Sequence, residues 1–447
     1  MTDVREVAFD TLLYYEKNTK AHVPVKDVLD KFSYLEKKDR SFLKRLIEGV
    51  MERRITIDFI LNQFAKIPVN KQKPPVRVIL RMGVYQIMYM DGVADFAAVN
   101  ECVLLAKKRK LANLSGVING ILRNVSKNRD SIKWPDRKTD VIKYFSVIYS
   151  CPEWIVRRLV DEQGEENAET VLMNSVSTRP VTARVNLSKA TVSDVLNTCF
   201  GSDGLCYAKQ SFIKTAITFD TPDNISELPA IKEGLVCVQD ISSMLVCTLA
   251  GIKESDTVLD VCASPGGKSL NAADIAVKGR VISCDVSEKK LERIEENIAR
   301  CGFNNIETRV MDATEHCKEF DEIADVIIAD VPCSGLGVMG RKNDIKYNLQ
   351  QGQIEDLAVL AREILSNVTR YLKCGGTLMF STCTVSKCEN VDNAEFIESI
   401  PGFSAVSFYD ELPDELKCES AKSGYMQLYG KDGLTDGFFI AKFRKQR

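Results

Sequence analysis

Two cysteines stand apart from the other thiols of this chain because of what surrounds them. Cys333 lies in Asp330-Val331-Pro332-Cys333-Ser334-Gly335 and Cys383 in Ser381-Thr382-Cys383-Thr384. Each follows a short apolar run, Ala324–Ala329 and Thr377–Ser381, of the kind that forms a buried strand. A cysteine is ordinarily a small buried hydrophobe. One placed just beyond a strand end can meet a ligand, and its thiolate is a nucleophile. Acidic residues recur at the same kind of position: Asp260, Asp285, Asp312 and Asp330 each close or follow a short apolar run. No metal site is expected, because the only histidines are His22 and His316 and neither pairs with cysteines at zinc-finger spacing.

These residues need a scaffold, and the stretch Val258 to Lys268 supplies its key. Val258-Leu259-Asp260-Val261 reads as a strand, Cys262-Ala263-Ser264-Pro265-Gly266-Gly267-Lys268 as a tight turn, and Ser269 to Val277 as a helix. Glycine lets a ligand approach the backbone, and the helix start presents free N–H groups. The spacing is not that of a Walker A loop. Val281 to Asp285 is a second strand, and an acidic strand end there typically takes a ribose hydroxyl pair. Strands and helices then alternate. Ser287–Cys301 is an amphipathic helix, Ile306–Met311 a strand, and Ile354–Leu372 a helix stopped by Gly375-Gly376. Residues 389–399 form another helix, and Phe403–Phe408 and Gly437–Phe443 are late strands. This pattern predicts an α/β fold with a mostly parallel, Rossmann-like sheet, whose ligands bind beyond the carboxyl ends of the strands.

The first part of the chain differs. Val4, Val7, Ala8, Leu12 and Leu13 recur at helical spacing, as do Phe42, Leu46, Ile47 and Val50. Val76–Met90 is apolar almost all round, as a central bundle helix is, and Val99–Leu111 and Leu114–Val125 complete an all-helical set. Residues 1–150 hold 28 Lys+Arg against 17 Asp+Glu, a balance of +11, which leaves −13 for the remainder. A basic half joined to an acidic one points to contact with a polyanion, and the run Lys107-Lys108-Arg109-Lys110 is the candidate phosphate patch. From Ser131 to Ser150 the chain changes character at Trp134-Pro135. Residues 155–175 are helical, Thr182–Leu187 alternates as a strand, residues 190–198 are helical, and short strands and loops continue to about residue 235. The expected division is a helical domain at 1–130, a small α+β linker at 131–235 and the catalytic sheet at 236–447. Gly234–Ser243, with Val238-Gln239-Asp240, is expected to approach the glycine turn.

With 45% hydrophobic and 27% charged residues, the composition is that of a globular protein. No run of about 18 apolar residues exists, and Met1 to Asp10 holds no export signal. A cytoplasmic location with reduced thiols, and no role for a membrane, is therefore expected.

Residues 4–128 resemble the NusB family of small helical RNA-binding domains. The likeness lies in Arg81-Met82-Gly83-Val84-Tyr85-Gln86, Ala98-Val99-Asn100-Glu101 and Gly116-Val117-Ile118-Asn119-Gly120-Ile121-Leu122-Arg123. From residue 150 onward the chain resembles the RNA cytosine-5 methyltransferases, through Asp260 to Lys268, Asp330 to Gly335 and Ser381 to Thr384. Departures are small: Ser264 stands where alanine is usual and Ser269 where threonine is, and Tyr429-Gly430 lacks the proline expected before Thr435-Asp436-Gly437-Phe438-Phe439. Both halves together resemble the bacterial RsmB/Sun type, which acts on 16S ribosomal RNA. The resemblance implies S-adenosyl-L-methionine as cofactor, with the turn 262–268 holding its methionine part, Asp285 the ribose and Asp312 the adenine edge. It implies Cys383 as the nucleophile toward cytosine, Cys333 in the release step, Asp330 on the base and near the cofactor, and Lys268 as electrostatic support. A monomer acting on 16S ribosomal RNA or a small-subunit assembly intermediate is the expected form. Two other readings stay open: a methyltransferase for tRNA or another nucleic acid, and a non-catalytic RNA-binding or antitermination factor.

Overall fold

The structure is a computed structural model, and it describes residues 3–18, 25–32, 34–199, 208–219, 225–430 and 433–446. His22 lies outside the described residues. The chain divides into two compact units, one made of Met1–Ser177 with Met339–Leu349, the other of Thr178–Val338 with Gln350–Arg447.

The first unit is helical. Its helices are α1 (Val4–Lys17), α2 (Val25–Lys31), α3 (Lys37–Glu52), α4 (Arg54–Phe64), α5 (Pro74–Tyr89), α6 (Asp95–Lys108), α7 (Ser115–Lys127), α8 (Val141–Ile148) and α9 (Glu153–Asn174). Helix α5 is the hub, buried from Val76 to Ile87 on nearly every face, as its unbroken apolar sequence requires. Leu12, Leu46, Ile47, Ile60, Leu80, Val99 and Leu122 pack in one core with it. Helix α8 lies inside the stretch that was read as a break. Asp140 caps it by accepting from the Lys143 N–H at 2.9 Å, and Phe145 is its buried anchor. A short helical segment, Ile345–Asn348, belongs to this unit.

The second unit carries two sheets. The smaller is antiparallel and built from β1 (Val181–Val185), β2 (Ala208–Gln210), β3 (Ala216–Phe219) and β4 (Val236–Val238), in the order β2-β3-β1-β4. The larger has β5 (Thr257–Asp260), β6 (Arg280–Asp285), β7 (Ile306–Val310), β8 (Ala324–Asp330), β9 (Leu372–Thr382), β10 (Phe403–Ala405), β11 (Tyr425–Tyr429) and β12 (Gly437–Lys445). Its order is β10-β12-β9-β8-β5-β6-β7, with β11 paired to β12. The centre, β9-β8-β5-β6-β7, is parallel, and β12 runs antiparallel to β9.

Helices cover both faces, so the strands are apolar on both sides. Val258, Val326, Ile328 and Met379 enter one core, while Leu259, Ile327, Leu378 and Phe380 enter the other. That is the period-two alternation of a strand. The helix Glu288–Cys301 repeats buried residues at Leu291, Ile294 and Cys301 and ends on Gly302, whose φ of +76° suits only glycine well.

Two expected elements are corrected. Gly375-Gly376 do not stop a helix. The helix Gln353–Val368 ends earlier, in a tight turn over Thr369–Tyr371, and both glycines lie inside β9. Gly375 has φ +79° there, and the pairing with β8 slips between Ala324 and Val326, so the glycines form an irregularity at the strand start. The strand read at Phe403–Phe408 stops at Ala405.

Candidate active site

The sequence that closes β5 builds the floor of the site. Gly266 caps the following helix, Gly267–Ile275, at φ +100°, a backbone that L side chains rarely adopt. A Cβ at Gly266 would stand 3.2 Å from Ile294 Cγ2. Gln239 flanks the turn, its amide nitrogen 3.6 Å from where a Gly267 Cβ would be, so the Gly234–Ser243 stretch does reach the turn. Three polar atoms around this floor, Asp260 Oδ1, Gln239 Oε1 and Ser283 Oγ, are buried without a hydrogen-bond partner. Buried acceptors without donors are costly unless a ligand or water meets them; Gln239 Oε1 can only accept, and so can Asp260 Oδ1 when its carboxyl is ionised.

Asp260, at the end of β5, has no solvent exposure. Its Oδ2 accepts from Ser269 Oγ at 2.7 Å. Burial drives its carboxyl up to about 7, against the opposing pull of the Ser269 hydrogen bond and the Lys268 charge. Lys268, in the first turn of the helix, is likewise buried. Its Nζ donates to Asp330 Oδ2 at 2.6 Å, and it lies 5.4 Å from the Phe438 ring centroid. Burial alone would lower its pKa, but the Asp330 charge and hydrogen bond outweigh that and raise it. Asp330 ends β8 opposite Ser381 of β9 in the parallel register. Accordingly Ser381 Oγ donates to Asp330 Oδ1 at 2.7 Å. Neighbouring strands thus converge on one lysine–carboxylate pair.

The two cysteines meet beside it, their Sγ atoms 3.2 Å apart. The Cys333 thiol is pushed well above its ordinary value, first by its hydrogen bond with Cys383 and then by burial. A clamp that sequence reading missed holds both loops. Glu389 is 1% exposed. Its Oε1 accepts the Ser334 backbone N–H at 2.6 Å, and its Oε2 accepts Ser334 Oγ at 2.6 Å and Thr384 Oγ1 at 3.1 Å. The residue after each cysteine is therefore tied to one carboxylate. Next to it, Asn390 donates to the Thr384 carbonyl at 3.0 Å and accepts from Thr382 Oγ1. The signal available in sequence was Glu389-Asn390, two polar residues just ahead of a helix and soon after Cys383.

The remaining expected residues are placed as follows. Asp285 is buried at the end of β6, where Oδ2 accepts the Ser264 N–H at 3.2 Å and Oδ1 accepts from the Val286 N–H at 2.8 Å and Lys290 Nζ at 3.0 Å. It thus fixes the turn from Cys262 to Gly266. The Cys262 side chain is half-buried, and desolvation raises the pKa of its thiol. Asp312, exposed and two residues beyond β7, accepts from the Thr314 N–H and hydroxyl at 2.9 and 2.7 Å, which lowers its pKa. In the helical unit the four-cation run is partly spent on the protein itself. Lys108 pairs with Asp3 and Glu6 at 3.0 and 2.7 Å, and Arg109 with Glu6 and Asp10 at 3.3 and 2.7 Å. Lys107 and Lys110 make no ion pair among the described residues. His316 pairs with Asp321 at 2.8 Å, and no helix among the described residues is long and apolar enough to cross a membrane.

Residues 247–444 match the family of 16S rRNA methyltransferases RsmB/F, and residues 2–127 match the NusB family. A Bacillus subtilis (strain 168) protein, the probable ribosomal RNA small subunit methyltransferase B, is 33% identical over 450 residues, covering 100% of this chain and 99% of that protein. The chain belongs to the ribosomal RNA small subunit methyltransferase B family. Family membership makes it an rRNA methyltransferase with a NusB-like helical domain, as the motifs implied. The fold agrees with solved structures. PH0851 superposes with a TM-score of 0.79 at 22% identity, covering 100% of this chain and 99% of that one. NSun6 from Pyrococcus horikoshii with SFG superposes with a TM-score of 0.59 at 22% identity, covering 66% and 98%.

Proposed function

We propose that the protein methylates carbon 5 of a specific cytidine in 16S ribosomal RNA, through a covalent bond between Cys383 and carbon 6 of the base. The observation that carries this reading is the contact of two thiols, Cys333 and Cys383, beside the Lys268–Asp330 pair at the ends of β8 and β9.

The floor of the site suits S-adenosylmethionine. The orphaned acceptors Asp260 Oδ1 and Gln239 Oε1 fit an ammonium, the glycine turn admits a ligand close to the backbone, and Asp285 stands where a ribose would be held. When bound, that cofactor supplies an electrophilic methyl group on a sulfonium.

Carbon 5 of cytosine is a poor nucleophile. Addition of the Cys383 thiolate to carbon 6 moves electron density to carbon 5, which can then take the methyl group. Asp330 faces the base, and Lys268 limits the charge that builds there. A base at the site, water or a basic side chain, then takes the carbon-5 proton, the electron pair of that bond restores the 5,6 double bond, and the carbon–sulfur bond breaks to return Cys383 as a thiolate. Cys333, its Sγ 3.2 Å from that of Cys383 and its thiol pKa raised, is the sulfur that assists release and not the attacking group. A stacked, paired base could not reach these sulfurs, so the target cytidine is unpaired or flipped. Lys107 and Lys110, which make no ion pair among the described residues, are cations that the helical unit can offer to RNA phosphates.

The two cysteines should give opposite phenotypes. Cys383→Ala abolishes methylation and leaves only noncovalent RNA binding. Cys333→Ala permits attack and methylation but slows release, so a protein–RNA adduct survives denaturing electrophoresis and requires the cofactor to form. The double variant loses the adduct. Adduct in Cys383→Ala and none in Cys333→Ala would reverse the roles, and absence of any adduct would reject the covalent route.

A further inference from the structure

The helical unit contains a cavity of about 110 Å³ that has no part in the methyl-transfer reading. Arg54, the first residue of α4, lies on its wall. Arg54 has no hydrogen bond and no carboxylate partner among the described residues. Its guanidinium instead stacks 3.8 Å above the centre of the Tyr347 ring. That ring is fixed from behind, since the Tyr347 hydroxyl donates to the Glu52 carbonyl at 3.2 Å and lies 3.1 Å from Ser150 Oγ.

The contrast with its neighbour is informative. Arg81 lines the same cavity, yet it is saturated, with its guanidinium held by Asp58 at 2.6 Å and by Glu16 at 2.7 Å. Glu16, the carboxylate Arg54 would otherwise reach for, is already shared between Arg81 and Arg77. Asp344 is the other carboxylate on the wall, and it has an interaction of its own. A half-buried guanidinium left without an anion is an unfavourable arrangement for the protein alone. Burial lowers the Arg54 pKa, which shows the same deficit of compensation.

Lys346 sharpens the point. It is fully buried, and its Nζ donates to the Glu52 carbonyl at 2.9 Å. The C-terminal end of α3 is thereby already occupied by a cation, so Arg54 cannot be there to cap it. The remaining role for Arg54 faces the cavity.

We infer that this cavity is an oxyanion site in which Arg54, stacked on Tyr347, receives a single phosphate-sized group. The volume argues for one compact group and against a whole nucleotide, since it is smaller than the engineered apolar cavity of about 150 Å³ that holds a single benzene. A planar guanidinium offers paired N–H donors to such a group, and the Asn348 amide stands on the lining beside it. The phosphate could be free or part of an RNA backbone, and the chemistry of capture is the same.

The test uses the full-length protein and inorganic phosphate, titrated calorimetrically at ionic strength held constant with chloride. Two variants are compared: Arg54→Gln removes the guanidinium, and Asn348→Asp sets a carboxylate at the exposed edge without touching the core. Phosphate affinity should fall at least tenfold in both. If Arg54→Gln does not fold, Asn348→Asp alone decides. A parallel arm measures binding of an unmodified 16S rRNA fragment. Weaker RNA binding by the variants, with phosphate competing, identifies a backbone phosphate as the occupant. Unchanged RNA binding identifies a free oxyanion. No phosphate binding by the wild-type protein, or equal binding by wild type and Asn348→Asp, would overturn the inference.

Discussion

Glu389 offers the most direct test of whether the two cysteine loops must be held together. It accepts one backbone N–H and two hydroxyls from Ser334 and Thr384, the residues that follow Cys333 and Cys383. Glu389→Ala would leave the buried Ser334 N–H without an acceptor, at a cost of about 1–3 kcal/mol. The two hydroxyls can still bond each other, being 2.7 Å apart, so they add little. Loss of the charge-assisted bonds and the space left behind bring the expected destabilisation to about 3–5 kcal/mol. Glu389→Gln is milder, because its amide can donate to hydroxyls that rotate to accept, while its carbonyl keeps the Ser334 N–H. A destabilisation of about 1–2 kcal/mol is expected there. The effect on rate should be larger than on stability. A displacement of reacting groups by about 1 Å can cost roughly 100-fold, so Glu389→Ala should lower kcat about 100-fold, with Glu389→Gln close to wild type. The KM for S-adenosylmethionine should stay unchanged, because none of these contacts involves the glycine turn. Steady-state methylation of undermodified 30S subunits or naked 16S rRNA, beside urea unfolding, separates the two effects. A folded Glu389→Ala protein with wild-type kcat would refute the clamp, and a loss confined to KM would place Glu389 in binding instead.

Two further predictions concern the floor of the site. Asp260 has a carboxyl raised from the usual 3.8 to about 7 by burial. The folded protein therefore keeps that proton while the unfolded chain loses it, so stability falls as pH rises from about 4 to 7. A difference of about three pKa units corresponds to about 4 kcal/mol. Asp260→Asn should remove that slope, and urea unfolding across the pH range would show the stability gap between the two proteins widening toward pH 7; a constant gap argues against a buried neutral Asp260. Asp285→Ala should weaken S-adenosylmethionine binding by about 1–3 kcal/mol, and an unchanged affinity by calorimetry in a folded variant would remove Asp285 from the cofactor site.

Much of the site was legible because it is written in local patterns. Strand, glycine turn and helix are contiguous between Val258 and Ile275, and an acidic strand end is a one-residue signal. The pairing of Asp330 with Ser381 followed once β8 and β9 were neighbours. What stayed hidden depends on distance in sequence. Glu389 is buried with donors from Thr384, close by in sequence, and from Ser334, and nothing near residue 389 announces Ser334. Lys108 and Arg109 read as a surface patch, yet their counter-charges Asp3, which caps α1, and Glu6 and Asp10, which lie on it, sit at the other end of the unit's sequence. Gly375-Gly376 failed for a different reason. A glycine pair stops a helix or kinks a strand equally well, and only the pairing partners decide which. Helix α8 does have a signal in sequence, since Asp140 is a capping residue ahead of an apolar run.

The charge balance of the floor supports the cofactor reading independently of any motif. Asp260, Asp285 and Asp330 close three adjacent strands, and the cations bonded to them or sharing their field are Lys268 and Lys290. With Asp260 ionised the group carries one net negative charge. With Asp260 protonated it is neutral. A pyrophosphate-bearing dinucleotide would meet these carboxylates with Lys268 already turned to Asp330 and Lys290 to Asp285. A sulfonium with an ammonium is favoured by the same field, because it brings positive charge toward Asp260 and Asp330. That addition would also ease ionisation of Asp260, whose raised pKa reflects burial without enough positive charge nearby. Binding of such a cation should therefore release a fraction of a proton between about pH 5 and 7. Calorimetry in buffers of different ionisation enthalpy measures that release directly. A binding enthalpy independent of buffer would mean that Asp260 lies too far from the bound charge to feel it.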